Sequence, residues 1–351
     1  GSKRADEIIN FRTKINEFIE FKKFPVEINL ICEEIITPDI LYMVCEMELM
    51  DSVLIALELK SDIFFHIFKM HTFNYLGDFI KRGAGPDEEI FIDPYFMHLS
   101  ANSFIYRSNT SINIASYNLE KNHIEIQKKI TLPGELIEFN HIFMLDDCIY
   151  GWVPYRKEDN EYIGFNPKNN DIFNFGPDFP KTEMKIPKIT RNVLFSKAIV
   201  VKPDKSEFAA IYDKFPILRI YSRTGKLKRE MRYKNGQKFP QALINNNSSK
   251  NSINDIMENY RKIKSTNNFI YAIYIGKTNK EIMSAGPGLN DFSNEIHIWN
   301  WEGNPIAKIL LDKSIFSFVV TPDDSFMLCS SINYENKLFK DNVADAGTFN
   351  G

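Results

Sequence analysis

The sequence predicts an all-β fold, a six-bladed β-propeller closed by N-terminal strands that complete the last blade. Three observations carry the prediction: a strand-forming composition, a polar pair that recurs six times in front of short apolar runs, and an aromatic-ended hairpin downstream of the pairs. Hydrophobic residues make up 44% of the 351 positions, enough for a large core. The 29 Phe and 15 Tyr are of the types that suit a pleated, half-buried surface. The length would hold two or three average domains, but repeat folds exceed the usual size as single units.

In chain order, residues 1–25 are charged and weakly periodic, with Ile8, Ile9, Phe11, Ile15, Phe18 and Ile19 as apolar content, and read as an N-terminal tether or a short amphipathic helix. Residues 26–345 read as one propeller domain. The polar pair opens an apolar strand at Asp51-Ser52, Asn102-Ser103, Asp146-Asp147, Asp204 with Ser206, Asn267-Asn268 and Asp323-Asp324. Asp and Asn suit such turns because their side chains bond back to nearby backbone. Successive pairs lie 51, 44, 58, 63 and 56 residues apart. Periods of about 40 to 50 residues built from short strands point to a propeller with four strands per blade, and longer spacings mark insertions. The clearest insertion is polar, over residues 234–264, with a short helix expected at Ile253–Ile263.

The second mark is clearest from Glu295 to Leu310. There Ile296, Ile298, Ile306 and Ile309 supply two strands, and Glu302-Gly303-Asn304-Pro305 supplies the turn. Gly and Asn tolerate positive φ and Pro presets the backbone. Trp299 ends the first strand, and Trp301, within the turn, is expected to be exposed. The hairpin recurs at Ser116–His123, Gly164–Asp171 and Ile220–Leu227, and more loosely at Ile67–Ile80. The sixth copy, from Asp323 to about Phe339, has room for two strands. Its missing strands are expected from Val26–Met50, which would close the ring and remove free edges.

Gly77-Asp-Phe-Ile-Lys-Arg-Gly-Ala-Gly-Pro-Asp-Glu-Glu89 resembles the G-x-F-x-x-x-G-x-GP-x-E segment of TolB-like six-bladed propellers, and the hairpin from Ile298 to Asp312 resembles another of their structural motifs. The resemblance spans about residues 26–340. It implies an exported protein of the periplasm or outer membrane, of the kind found in gut-dwelling Gram-negative bacteria, anchored by a lipid on a cysteine upstream of residue 1. It supplies no catalytic residues.

The residues themselves show no catalytic constellation. The formal charge of −3 argues against a general nucleic-acid binder. Cys32, Cys45, Cys148 and Cys329 have no zinc spacing and read as buried free thiols. Gly83-Ala84-Gly85-Pro86 lacks the spacing of a phosphate loop and reads as a turn between blades. The six histidines form no metal pair, the paired aspartates lack the spaced ligands of a calcium loop, and no serine sits in a nucleophile elbow. No cofactor or metal is expected. No run of about 18 apolar residues occurs, so membrane association is expected only through the lipid anchor.

The candidate ligand-binding residues are Trp152, Tyr155 and Arg156, which put aromatics and a cation in or beside a strand-to-strand loop, and Lys81 and Arg82 in an analogous place. The reading that follows is a monomeric, non-enzymatic binding or scaffold propeller of the cell envelope that recognises a protein, peptide or glycan at one face. The alternative is a propeller hydrolase or lyase whose acid and histidine residues converge at the channel mouth.

Overall fold

Each polar pair becomes the turn between the first and second strands of a blade. The pairs work as turns because they reach the left-handed backbone region that Asp, Asn and Gly tolerate best: Asp146, Lys205 and Asp324 have φ of 54°, 60° and 59°. Asx bonds add to this, Ser206 N–H donating to Asp204 Oδ1 at 2.8 Å and Ser325 N–H to Asp323 Oδ1 at 3.1 Å. The second set of marks becomes the turns between third and fourth strands, with Asn122, Asn170, Gly225 and Gly303 at positive φ. The computed structural model describes residues 13–15 and 18–343, apart from 36, 38–39, 87, 119, 183–185, 239–255, 285–292 and 332.

Blade one is β5 (Val44–Met50), β6 (Val53–Glu58), β7 (Ile63–Lys69) and β8 (Tyr75–Arg82), with the short β9 (Glu88–Glu89) added parallel to β8. Blade two is β10 (Ile92–Ser100), β11 (Ser103–Ser108), β12 (Ser111–Asn118) and β13 (His123–Thr131). Blade three is β14 (Asn140–Leu145), β15 (Cys148–Trp152), β16 (Asn160–Asn166) and β17 (Asp171–Asp178). The helix α1 (Lys188–Leu194) leads into blade four, β18 (Lys197–Val201), β19 (Glu207–Tyr212), β20 (Ile217–Ser222) and β21 (Leu227–Tyr233). Blade five is β22 (Met257–Ser265), β23 (Phe269–Thr278), β24 (Glu295–Asn300) and β25 (Pro305–Leu311), with α2 (Asn279–Ser284) after β23. Blade six takes β26 (Ser317–Val320), β27 (Phe326–Ser331) and β28 (Tyr334–Asn342) from the C-terminal part, and β4 (Glu33–Ile35) pairs antiparallel with β28 as its outer strand.

The innermost strands β5, β10, β14, β18, β22 and β26 touch in sequence and back to β5, so the ring is closed. The expectation of N-terminal closure holds in outline and differs in detail. One strand, not two, completes blade six, because β28 begins at Tyr334 and makes a third C-terminal strand. The rest of Val26–Met50 goes elsewhere: β3 (Val26–Leu30) lies parallel to β25 on blade five, and β5 opens blade one.

Two local expectations are corrected. Of the expected tether or short helix over residues 1–25, residues 1–12 and 16–17 lie outside the described residues, and Phe18–Phe21 is a strand, β2, parallel to β21 on blade four, with β1 (Thr13–Ile15) pairing antiparallel with it. The outer edge of β21 offers unpaired backbone groups, and satisfying them outweighs the weak helical periodicity of this stretch. In the polar insertion, the expected helix at Ile253–Ile263 is displaced from Met257 onwards by β22, the innermost strand of blade five, while residues 253–255 lie outside the described residues.

The core is not one mass but a set of layers between blades. Phe143 of β14 packs on Phe208 of β19, with ring centroids 4.9 Å apart, and Phe208 stacks on Tyr221 at 4.6 Å. Trp301 is 5% exposed, correcting the expectation of an exposed turn tryptophan. Its indole N–H donates to Thr266 O at 3.0 Å, which folds the turn back onto its own blade. The four cysteines are free thiols.

Candidate docking face

Strand direction divides the propeller into two faces. Strands alternate up and down within a blade, so first-to-second and third-to-fourth turns share one end, the turn face. Second-to-third loops and blade-to-blade connections share the other, the loop face. The turns are dominated by Asp, Asn, Lys and Gly, as the sequence marks imply.

The exposed large apolar side chains are distributed unequally. Ile90 and Phe91 lie between blades one and two, Ile137 between two and three, and Ile189 on α1 between three and four. Tyr155 is in the loop of blade three, Met283 on α2 in the loop of blade five, Tyr334 at the loop of blade six, and Ile40 and Tyr42 between β4 and β5. All are on the loop face. The remainder, Val26, Ile31, Ile126, Ile172 and Phe173, lie on or beside outer strands, and none among the described residues is in a first-to-second or third-to-fourth turn. Contiguous or clustered apolar exposure marks interaction surfaces, whereas single scattered residues do not.

The five residues singled out in the sequence all reach the loop face but do different things. Trp152 is buried against the next blade, its indole N–H donating to Lys197 O at 3.1 Å. Arg156 is a tether, donating to Tyr162 O at 3.1 Å and to the Asn174 side chain, and pairing with Glu158 at 2.9 Å. Arg82 is a staple. It stands over the Phe64 ring, 4.4 Å from its centroid, and donates to the carbonyls of Ser61, Ile90 and Leu59. Of the two aromatics among the five, Tyr155 is the one open to solvent, 61% exposed at φ 58°. Lys81, two blades away from that loop, is exposed on a groove of about 800 Å³ between β8 and β13, with Phe79, His123, Ile126 and Lys129 among its walls.

The Gly83-Ala84-Gly85 turn does hold an anion, the chain's own. Gly85 N–H donates to Glu88 Oε2 at 2.9 Å, and a Cβ on Gly83 would stand 1.9 Å from that oxygen. Glu88 is the acidic residue that ends the GP-x-E motif, so the motif is a self-satisfied turn that sets β9 beside β8.

The channel carries the charged groups that sequence reasoning missed. Glu46 on β5 meets Lys262 at 3.0 Å and Lys264 at 2.9 Å, both on β22, and accepts from Ser317 on β26 at 3.3 Å. Lys264 also pairs with Glu48 at 2.6 Å. Burial pushes the Glu46 carboxyl up, but the two lysines outweigh it and hold it below the usual range. For Glu48 burial prevails and the carboxyl is raised. His141 on β14, between the rings of Tyr95 and Trp152, is pushed by burial down to about 4. Between blades three and four, Glu161 accepts from Arg219 at 2.9 Å and from Tyr221 at 2.7 Å. Beside it burial brings the Lys197 amine down to about 8. Each of these carboxylates is consumed by an internal cation. The channel opens at the turn face into a pocket of about 150 Å³, lined by Glu48, His98, Lys202, Lys205, Lys264 and Asn267 among others. Ligand pockets run to about 300–1,000 Å³. No spacing could reveal the contacts of Glu46 and Glu48, whose lysine partners are more than 200 residues away.

The model of the TolB-like 6-blade propeller-like family matches residues 20–323. The chain belongs to that family. Among solved structures, this TolB-like propeller resembles a protein from Bacteroides fragilis NCTC 9343 described as exported, at 10% identity and TM-score 0.58, covering 90% of this chain and 98% of that one. It also resembles a DUF4221 family member from Bacteroides vulgatus, at 13% identity and TM-score 0.55, covering 89% and 97%. At such identities the likeness is one of fold. No curated protein matches.

Proposed function

We propose that this TolB-like propeller is a non-enzymatic docking module of the cell envelope, and that its loop face binds another protein. The observation that carries the reading is the gathering of exposed Tyr, Phe, Ile and Met side chains in the loops and connections of the loop face, against turns of the opposite face without any among the described residues. Aromatic and Met side chains are enriched at protein interfaces. The same face is braced from beneath by Arg82, Arg156 and Trp152, which fix loops rather than reach for ligand. The channel argues in the same direction, since its carboxylates are neutralised internally and its opening is small. Export is supported by the solved neighbour described as exported. Attachment to the outer membrane through an upstream lipid, and action as a monomer, belong to the same proposal.

The test is site-specific photocrosslinking in the cell that makes the protein. A photoreactive residue replaces Ile90, Ile137 or Met283 on the loop face, or Asn122 or Lys205 on the turn face. Crosslinks to one protein from the loop-face positions alone are expected. Crosslinks from the turn face alone, or from neither, would overturn the reading.

A further inference from the structure

We propose that Tyr155 is the anchor of that docking face, and that it inserts into an apolar pocket rimmed by carboxylates on the partner; the inference rests on the docking reading above. The loop from Val153 to Asp159 is held on both sides. Arg156 ties it to the Tyr162 carbonyl and to Asn174. From α1, Arg191 pairs with Asp159 at 2.7 Å, donates to the Glu158 carbonyl and stands 4.6 Å over the Phe179 ring. Lys188 adds a second contact to Asp159 at 3.1 Å. Two arginines and a lysine thus fix a seven-residue loop whose tip keeps a tyrosine 61% exposed in the left-handed region.

That conformation costs a non-glycine residue on the order of 1–2 kcal/mol. A bulky apolar ring held out in water by a braced loop gains nothing for the fold. It is what a binding anchor needs, because a side chain fixed beforehand loses less entropy on association. Charge decides the partner's chemistry. Arg156, Lys157, Lys188 and Arg191 outnumber Glu158 and Asp159, and Lys157 has no ion pair among the described residues. An acidic rim around the pocket complements that surplus.

The test uses a displayed library of random dodecapeptides selected on the immobilised propeller. Enriched peptides carrying an apolar cluster flanked by Asp or Glu are expected. Their affinity should fall about 30-fold or more with Tyr155→Ala, as for a hot-spot residue. It should survive Tyr155→Phe, and Lys157→Glu should weaken it and flatten its salt dependence. Unchanged cooperative melting of each variant controls for folding. Peptides that bind Tyr155→Ala as well as the parent, but lose affinity on Phe91→Asp, would overturn the anchor and leave the docking face standing. Peptides that map to neither, basic peptides, or no enrichment would overturn the inference, and the first and last would count against the docking reading too. Binding to anionic phospholipid vesicles that requires Tyr155 and Lys157 would replace the protein partner with a membrane.

Discussion

Glu46 and Lys264 meet at 2.9 Å across blade six, joining the first strand of blade one to the first strand of blade five. Blade six is where the ring is sealed by non-covalent pairing alone. The ion pair, with Lys262 and Ser317, therefore bridges the seam on its channel side while β4 closes it on the outside. Removing one member should be worse than removing a matched pair. Glu46→Met leaves Lys262 with the Cys45 carbonyl, at 2.9 Å, and the face of the Phe316 ring but no carboxylate, and should cost about 3–5 kcal/mol. Glu46→Met combined with Lys262→Met keeps the Lys264–Glu48 pair and should be the more stable protein. Denaturant unfolding of the single and double variants checks the order.

His141 should make stability depend on pH. Its folded value of about 4 lies below the ordinary 6.5, so the unfolded chain binds more protons between those limits. Stability therefore falls as pH drops from 6.5 towards 4, by roughly 2–3 kcal/mol from this group. Asp213, raised by burial to about 6, acts in the opposite sense over an overlapping window, since it takes up its proton first in the folded state. The contribution of His141 is read from the difference between the parent and His141→Phe, which should shrink steadily as pH falls. A constant difference would show that His141 titrates alike in the folded and the unfolded states.

The two tryptophans of the blade-five hairpin should respond differently to Phe. Trp299 is 1% exposed and its indole N–H has no partner, so Trp299→Phe removes a buried unsatisfied donor. Trp301→Phe removes the bond to Thr266 O and leaves that carbonyl to be satisfied anew. Trp301→Phe should therefore be the costlier change, by about 1–2 kcal/mol in melting experiments.

Gly83 and Glu88 should be coupled. Gly83→Ala pushes the carboxylate out of its turn, and Glu88→Ala empties the turn, so the double variant should lose little more than either single one. Simple addition of the two losses in a double-mutant cycle would show that the turn does not depend on that carboxylate.

Truncation separates the two roles of the N-terminal segment. Deleting residues 1–20 removes β1 and most of β2 from the outside of blade four and should leave a cooperative propeller of reduced stability. Deleting through Met50 also removes β4 and β5, which opens the ring, and cooperative melting should disappear.

The blades were legible because their turns need left-handed residues, and Asp, Asn and Gly advertise those positions at a regular period. Phe18–Phe21 and Met257–Ser265 were not legible as strands. Phe18–Phe21 pairs with β21, more than 200 residues away, and local periodicity carries no trace of a distant edge, whereas Met257–Ser265 pairs with the adjacent β23 but carries charges, Glu258 and Lys264, that are buried in the fold and look solvated in the sequence. The same holds for the site. Trp152, Tyr155 and Arg156 were visible as unusual residue types in a loop, but their sorting into packer, anchor and tether depends on Lys197, Asn174 and Arg191. Glu46 and Lys264 looked like ordinary strand charges, since alternation alone does not distinguish a channel wall from a solvated face.

The girdle of N-terminal strands also sets a timetable for synthesis. The partners of β2, β3 and β4 are β21, β25 and β28, and Cys32 N–H donates to Asp312 across 280 residues. At roughly 5–20 residues per second, the first strands made wait on the order of 15–60 s for the last strands that receive them. A nascent chain must keep its beginning extended and unpaired until its end has emerged, which is also the state in which a polypeptide can be threaded through a membrane before it folds.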